Sequence, residues 1–203
     1  MQRIDRYKVI PVVVINKIEE TSKKLQALID GGLPIAEITF RTECAQEAIS
    51  LAIADFPQML IGAGTVINST QAEKAISLGV KFIVGPGFSP EVSTICKTHN
   101  IPYFPGCVTP TEIMMAIADG WTVIKFFPAN VYGGLKAMQS LAGPFPQITF
   151  IPTGGIDNGN IAEYLAWNKI KAIGGSWMMK GSTQDIEKAC NEIANTISKM
   201  EDL

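Results

Sequence analysis

The segment IAEITFR, residues 35–41, alternates apolar and polar side chains with a period of two. In a β-strand this period sends successive side chains to opposite faces of the sheet. The apolar face, which we expect to contact helices, consists of Ala36, Ile38 and Phe40. The opposite face consists of Glu37, Thr39 and Arg41. The segment therefore predicts a strand that has helices on one side and charged groups on the other.

Seven further apolar segments of similar length follow or precede this one and alternate with amphipathic stretches of helical period. The eight predicted strands cover residues 9–15, 35–41, 59–65, 81–87, 101–107, 121–128, 147–155 and 171–178. Helical spacing of apolar residues is clearest at Leu25, Leu28 and Ile29, at Ile113, Met114 and Ile117, and at Ile186, Ala189, Ile193 and Ile197. Strands that alternate with helices indicate parallel pairing and right-handed crossovers.

The count of eight strands predicts an α/β fold, a single-domain (β/α)₈ TIM barrel over residues 1–203. The alternative is an open doubly wound sheet, which usually has fewer strands. No linker or shift in composition divides the chain. A hydrophobic fraction of 47% suits one domain with a sizeable core.

The sixth predicted strand brings another charged residue into the barrel. Thr122, Ile124 and Phe126 should face the helices, which leaves Val123, Lys125 and Phe127 for the interior. Lys125 would then converge with Glu37 and Arg41 where such barrels usually hold aliphatic side chains. Burying charges is costly unless they have partners or a function. One interpretation is a structural ion-pair network that closes the barrel.

The identity of the three residues favours chemistry instead. A lysine in a confined site is a nucleophile toward carbonyl groups. A neighbouring carboxylate can move protons, and an arginine offers a planar fork for a substrate carboxylate. Lys125, Glu37 and Arg41 together suit a 2-keto acid substrate, with the lysine for the ketone and the arginine for the acid.

Glycine-rich segments fall at the ends of several predicted strands, where a barrel carries its active site. PTGGI at residues 152–156 ends the seventh strand, Asn158 should open the next helix, and GGSW at residues 174–177 ends the eighth strand. Loops after these two strands often bind phosphate through backbone N–H groups. Gly154, Gly155 and Ser176 are therefore predicted phosphate ligands, and binding would rest on amide dipoles. The alternative is ordinary turn chemistry.

The composition argues against several other classes of protein. The net charge of −2 favours neither nucleic acid nor an anionic membrane as a partner. GAGTVI at residues 62–67 lacks the third glycine of a dinucleotide fingerprint, and no Walker A motif occurs. One histidine, His99, and four scattered cysteines make a metal site improbable, so we expect neither metal nor cofactor. The N-terminal residues lack a signal-peptide pattern, which predicts a cytoplasmic protein with reduced thiols.

Seven segments carry a family resemblance in order and with similar spacing over essentially the whole chain. They are EITFRTE (37–43), GAGTV (62–66), GPG (85–87), IKFFPA (124–129), GPF (143–145), PTGGI (152–156) and GGSWM (174–178). This combination resembles the 2-keto-3-deoxy-6-phosphogluconate (KDPG) and 4-hydroxy-2-oxoglutarate aldolase family, whose members are class I, Schiff-base-forming lyases. The resemblance implies cleavage of KDPG to pyruvate and glyceraldehyde 3-phosphate, and of 4-hydroxy-2-oxoglutarate to pyruvate and glyoxylate. It also implies a homotrimer.

The resemblance implies a role for each matching residue. Lys125 matches the Schiff-base lysine and Glu37 the general acid/base. The substrate carboxylate would contact Arg41, Thr65 and Thr153. The phosphate pocket would consist of Gly154, Gly155 and Ser176, and the apolar walls of Pro86 and Phe127.

Three segments near the substrate mouth depart from the family pattern. Gly85 stands where a serine is expected, Cys107 where a small residue is more usual, and NVYGG (130–134) replaces a more acidic stretch. These three departures do not affect the residues of the lysine chemistry. They leave undetermined which keto acid is the preferred substrate. Two other functions remain as alternatives: a non-covalent phosphosugar isomerase that uses Glu37, and a phosphosugar-binding protein.

Overall fold

The computed structural model describes residues 4–201, and their backbone forms eight parallel β-strands that alternate with eight α-helices. The strands are β1 Val9–Val13, β2 Ile35–Thr39, β3 Leu60–Gly64, β4 Ile83–Val84, β5 Tyr103–Phe104, β6 Val123–Phe126, β7 Thr149–Pro152 and β8 Ile173–Gly175. All eight strands predicted from the sequence are confirmed. The predicted domain of residues 1–203 extends beyond the described residues at both ends, by residues 1–3 and 202–203.

The strands close into a barrel. Six of them pair continuously in the order β5-β4-β3-β2-β1-β8, and β6 pairs with β7. Isolated bridges join the two groups. One runs from Gly106 to Lys125 between β5 and β6, and two run between β7 and β8, from Thr153 to Gly174 and from Phe150 to Ile170. The (β/α)₈ barrel is therefore correct, and the open-sheet alternative is wrong.

Each strand is shorter than its apolar pattern predicted. The shortest strands are β4 and β5, which have two residues each. Pro86, Pro102 and Pro105 flank these strands and have no N–H to donate to a neighbouring strand. Apolar residues that flank the strands stay buried or half-buried without regular strand pairing. For this reason the apolar segments in the sequence are longer than the strands.

The helices lie around the barrel and begin with well-defined caps. They are α1 Thr21–Asp30, α2 Ala45–Asp55, α3 Ser69–Leu78, α4 Pro90–Thr98, α5 Pro110–Ala118, α6 Gly134–Ala142, α7 Ile161–Leu165 and α8 Thr183–Glu201. Asn68 and Ser89 accept a hydrogen bond from the first turn of α3 and α4, and Thr109 forms a capping box with Glu112 in α5. No helix of residues 4–201 is long and apolar enough to cross a membrane.

The sequence pattern predicted Met114 on the buried face of α5, and that prediction is wrong. Ile113 of α5 is buried as expected, but Met114 is 59% exposed, and Ala116 takes the second buried position. In α8, Ile186 and Ile193 are fully buried, as their spacing predicted.

Two apolar clusters lie on the two sides of the strands. The outer cluster joins the helices to strand residues such as Ala36, Ile38, Ile124 and Phe126, which confirms the predicted helix-facing side of β2 and β6. The inner cluster fills the barrel below the charged layer. It contains Ile4, Ile10, Ile35, Leu60, Phe82, Val84, Phe104, Val123, Ile151 and Ala172. The polar groups of the barrel interior therefore lie above a layer of apolar side chains.

Candidate active site

Lys125 and Glu37 meet inside the barrel. Lys125 lies on β6 and Glu37 on β2, four strands away around the ring, and each residue is only 2% exposed. The Lys125 Nζ donates to Glu37 Oε1 over 3.4 Å. Each group therefore has the partner that a buried charge requires. The convergence expected from the sequence is confirmed, while the catalytic roles of the two residues stay predictions.

A glycine on the neighbouring strand makes room for the Glu37 carboxylate. A Cβ atom at Gly64 would lie 2.1 Å from Glu37 Oε1, well inside van der Waals contact. On the other side of the pair, the Phe127 ring lies 5.3 Å from Lys125 Nζ, within the range of a cation–π contact. Gly64 and Phe127 thus hold the two charged groups in a narrow, partly apolar space.

Arg41 lies higher, at the rim of the barrel. It follows β2, is exposed, and donates through Nε to the Thr65 hydroxyl over 2.8 Å. Thr65 follows β3 with a φ of +57°, an unusual conformation for a β-branched residue. Because Nε is occupied, the terminal N–H groups of the guanidinium remain available to bind a carboxylate.

A cavity of about 320 Å³ opens at this rim and reaches down to Lys125. It is lined by Val12, Arg41, Lys125, Phe127, Thr153, Gly154, Gly155, Ile156, Asp157, Gly175, Ser176, Trp177 and Lys180. Three of these residues are basic and one is acidic, and the amine of Lys125 already has a carboxylate partner in Glu37. Arg41 and Lys180 then outnumber Asp157, so the cavity lining keeps a net positive charge and suits an anionic ligand.

The wall formed by β7 and β8 contains the predicted phosphate ligands. Gly154 and Gly155 have φ values of +94° and +74°, which other residues rarely adopt. A Cβ at Gly155 would lie 2.3 Å from the Asn130 side chain, so the close approach also requires glycine. Ser176 is exposed in the cavity wall directly after β8. The structure thus brings Gly154, Gly155 and Ser176 together, as the sequence predicted.

Thr153 lies between the lysine and these glycines. It is 7% exposed, and its hydroxyl finds no hydrogen-bond partner among the described residues. Such a buried, unsatisfied hydroxyl on the cavity wall fits a ligand contact.

Several lining residues were not proposed as site residues from the sequence. Val12 lies on β1, Asp157 follows β7, and Trp177 and Lys180 follow β8. A signal existed for Lys180, which is the first cation after the GGSW segment. It is exposed and makes no ion pair with any described residue.

Asn158 was expected to open the helix after β7, and that prediction is wrong. The cap of α7 is Asn160, whose amide oxygen accepts the Asp157 N–H. Asn158 instead accepts a hydrogen bond from the Trp177 indole over 2.8 Å and donates to Glu192. It therefore holds Trp177 against the cavity, where a Cβ at Gly175 would lie 1.9 Å from the indole ring.

Three of the residues discussed from the sequence lie away from this cavity. Pro86 is exposed and outside the lining, so its role as an apolar wall stays a prediction. Cys107 is buried and donates to the Glu112 carbonyl, and burial raises the pKa of its thiol to about 12. His99 is exposed at the end of α4. Within residues 4–201, no group of three His, Cys, Asp or Glu side chains could hold a metal ion.

Comparison with known proteins places the chain in a family. The family model described as "KDPG and KHG aldolase" matches residues 1–194. The 2-dehydro-3-deoxy-phosphogluconate aldolase of Treponema pallidum is 43% identical over 178 residues, which cover 88% of this chain and 85% of that protein. The KHG/KDPG aldolase of Escherichia coli is 40% identical over 171 residues, 84% of this chain and 80% of that protein.

A solved structure of similar shape adds chemical information about a relative. The KDPG aldolase of Legionella pneumophila superposes with a TM-score of 0.89 at 36% identity, covering 93% of this chain and 94% of that one. That structure holds pyruvate captured at low pH as a covalent carbinolamine intermediate. The match of the family model over nearly the whole chain, together with these identities, shows that the chain belongs to the KDPG and KHG aldolase family.

Proposed function

We propose that this protein is a class I aldolase that cleaves KDPG to pyruvate and glyceraldehyde 3-phosphate, and 4-hydroxy-2-oxoglutarate to pyruvate and glyoxylate. The observation that carries the proposal is the buried contact between Lys125 and Glu37 at the base of a cavity lined with basic groups. The family membership supports it, as does the covalent carbinolamine held by the Legionella pneumophila relative.

The first part of the reaction forms the Schiff base. Once its ammonium group has lost a proton, Lys125 adds through Nζ to the C2 ketone and forms a carbinolamine. Glu37, 3.4 Å from Nζ, is placed to receive protons from the amine and to return one to the departing hydroxyl group. Water leaves, and the resulting iminium withdraws electrons from C3.

The second part breaks the carbon–carbon bond. The C4 hydroxyl loses a proton, the C3–C4 bond breaks, and its electron pair enters the iminium to give an enamine. The aldehyde departs, C3 is protonated, and water returns to C2 to release pyruvate and free Lys125. The buried carboxylate of Glu37 is the nearest proton carrier to Nζ and serves these transfers.

Binding of the two charged ends of the substrate follows from the walls of the cavity. The pyruvyl carboxylate would contact Arg41, Thr65 and Thr153. The distal phosphate would contact Gly154, Gly155 and Ser176.

The decisive test is covalent trapping. Borohydride added with pyruvate should reduce the Schiff base irreversibly, and peptide mass spectrometry should find the adduct on Lys125. Lys125→Ala should remain folded and lose most of the aldol rate, because no other group lies beside Glu37 to form the iminium. A matched control is Lys24→Ala, which removes a half-buried ion pair with Glu20 at the start of α1 and should leave trapping unchanged.

The alternative functions give different results in the same experiment. A phosphosugar isomerase that uses Glu37 without covalent chemistry, or a phosphosugar-binding protein, would not be trapped by borohydride. An adduct on another lysine, or no adduct with an active wild-type enzyme, would contradict the assignment of Lys125.

We further propose a single domain over residues 1–203, a cytoplasmic location and a homotrimeric assembly. Family membership supports the trimer, and large apolar side chains available for a contact between copies are exposed at Ile67, Met114, Met115, Val131 and Tyr132. Light scattering of the purified protein at micromolar concentration should give three times the chain mass of 21.9 kDa. A monomeric mass would contradict the trimer.

A further inference from the structure

The Thr39 hydroxyl is buried without a hydrogen-bond partner. Thr39 is 1% exposed, and its Oγ1 bonds to no group of the residues that the structure describes. Most buried hydroxyl groups in folded proteins are hydrogen-bonded, because an unsatisfied one carries a desolvation penalty. A valine would fill the same space without that penalty, so the hydroxyl calls for an explanation.

The backbone places this hydroxyl beside the Glu37 carboxylate. On β2, Ala36 and Ile38 face the helices, so Thr39 shares the interior face with Glu37. Thr39 pairs in register with Gly64 of β3, and paired positions on neighbouring strands lie about 5 Å apart. Glu37 Oε1 occupies the space where a side chain at Gly64 would begin. The carboxylate therefore lies at the level of Thr39, on its β3 side.

The unpartnered hydroxyl thus lies next to the group that must exchange protons with water. Glu37 contacts Lys125 through Oε1, and no bond between Thr39 and Glu37 competes with that contact. A threonine hydroxyl can donate one hydrogen bond and accept others, so it can hold a water molecule in a fixed orientation.

We propose that Thr39 positions water at the point where one molecule leaves the carbinolamine and where a molecule from solvent later adds to the iminium. This inference rests on the proposed Schiff-base function. In dehydration, the C2–O bond breaks, the hydroxyl takes a proton from the Glu37 carboxyl group and departs as water, and the nitrogen lone pair forms the C=N bond. In hydrolysis, a water molecule that has entered the same position from solvent adds to C2, gives a proton to the Glu37 carboxylate, and the C=N electron pair returns to nitrogen.

Isotope exchange isolates this step. Each cycle of dehydration and hydrolysis replaces the C2 carbonyl oxygen of pyruvate with oxygen from solvent, so exchange in ¹⁸O-water measures it without carbon–carbon cleavage. Thr39→Val should lower enzyme-catalysed exchange and kcat together, by roughly 10-fold to 100-fold, while KM changes by less than about 3-fold. Its melting temperature should stay equal or rise, because the substitution removes an unsatisfied hydroxyl.

Three further variants separate positioning from packing. Thr39→Ser keeps the hydroxyl and should retain both rates within about 3-fold, whereas Thr39→Ala should match Thr39→Val. Thr21→Val is the matched control, since Thr21 is also buried and unpartnered but lies on helix α1, whereas Thr39 lies on strand β2 with Glu37. It should change neither rate.

The outcomes distinguish this inference from the function on which it rests. If borohydride does not trap pyruvate on the wild-type enzyme, the proposed function fails. If the wild type is trapped but Thr39→Val exchanges oxygen at the wild-type rate, only the role of Thr39 is overturned. Full exchange in Thr39→Ala with loss in Thr39→Val would assign the effect to packing and overturn it as well.

Discussion

Burial separates Glu37, on β2, from Arg41, which follows the same strand. Glu37 is 2% exposed and contacts Lys125, whereas Arg41 is exposed and contacts Thr65 at the rim. A group that contacts the reacting atoms acts mainly in the transition state, while a group that binds a remote carboxylate acts in the ground state as well. We therefore expect Glu37 to act in turnover and Arg41 to act in binding.

Substitutions at these two positions should affect different kinetic constants. Glu37→Gln keeps the shape of the side chain and removes the proton carrier, so kcat should fall by about 10²-fold to 10⁴-fold. Arg41→Ala should mainly raise KM for both keto acids, because the carboxylate is bound before and during the reaction. Steady-state kinetics on KDPG and 4-hydroxy-2-oxoglutarate measure both effects.

Melting temperatures of the same variants test the structural alternative. If Glu37 only neutralises Lys125 within the barrel, Glu37→Gln should lower the melting temperature and leave kcat per folded molecule unchanged. The double variant Glu37→Gln with Lys125→Met should then recover stability, since removing both charges leaves no unpaired group. That pattern would contradict the catalytic assignment of Glu37.

Single residues were predictable from the sequence where strand periodicity decides their direction. Alternation along β2 and β6 was enough to bring Glu37 and Lys125 into the interior. It could not reveal that Gly64 provides the space for the carboxylate, because that contact depends on the register between β2 and β3. The unpartnered state of Thr39 likewise depends on every neighbouring strand.

The element that follows β8 decides how the phosphate end of the cavity is charged. A short 3₁₀ helix, Trp177–Met179, separates Ser176 from Lys180, and both residues line the cavity. The sequence predicted a pocket that relies on backbone amides, because nothing in it places the Lys180 side chain. The turn through the 3₁₀ helix brings this cation back to the same wall, where Asp157 is the acidic residue of the lining.

Lys180 should therefore contribute to the binding of phosphorylated substrate. Lys180→Gln should raise KM for KDPG by roughly 5-fold to 20-fold, and by less than about 2-fold for 4-hydroxy-2-oxoglutarate, with kcat little changed. Ser176→Ala should show the same preference, with a loss on the order of 1–3 kcal/mol for the phosphorylated substrate. Lys188→Gln, on α8, is the charge-matched control outside the cavity lining. Equal effects of Lys180→Gln on both substrates would contradict a phosphate contact.

At the scale of the whole molecule, isolated bridges instead of regular ladders close the barrel beside Lys125 and beside the predicted phosphate ligands. Between β5 and β6 the ladder consists of the single bridge from Gly106 to Lys125, and between β7 and β8 of the bridges at Thr153 and Phe150. The order and number of strands were predictable from the apolar segments. The replacement of regular ladders by isolated bridges at these two strand pairs was not. They arise because prolines and glycines at the ends of strands interrupt regular pairing.

Pairing between β5 and β6 closes the barrel next to Lys125, and we expect this closure to support catalysis. The Lys125 backbone donates to the Pro105 carbonyl and accepts from the Cys107 N–H, so its position depends on the segment around Gly106. A Cβ at Gly106 would lie 2.1 Å from the Pro86 carbonyl oxygen, which is backbone and cannot rotate away. Gly106→Ala should therefore cost about 1–3 kcal/mol of stability and lower kcat per folded molecule.

Gly87→Ala is the matched control for that substitution, because its added Cβ would meet no atom within 4 Å. It should leave stability unchanged or slightly raised, since alanine restricts the unfolded chain. Urea unfolding should show a lower midpoint for Gly106→Ala with an unchanged slope, and the ¹⁸O exchange of pyruvate should slow because Lys125 is displaced. If Gly106→Ala matches the control in both measurements, the segment around Pro86 after β4 can shift without moving β6. Closure between β5 and β6 would then not position Lys125.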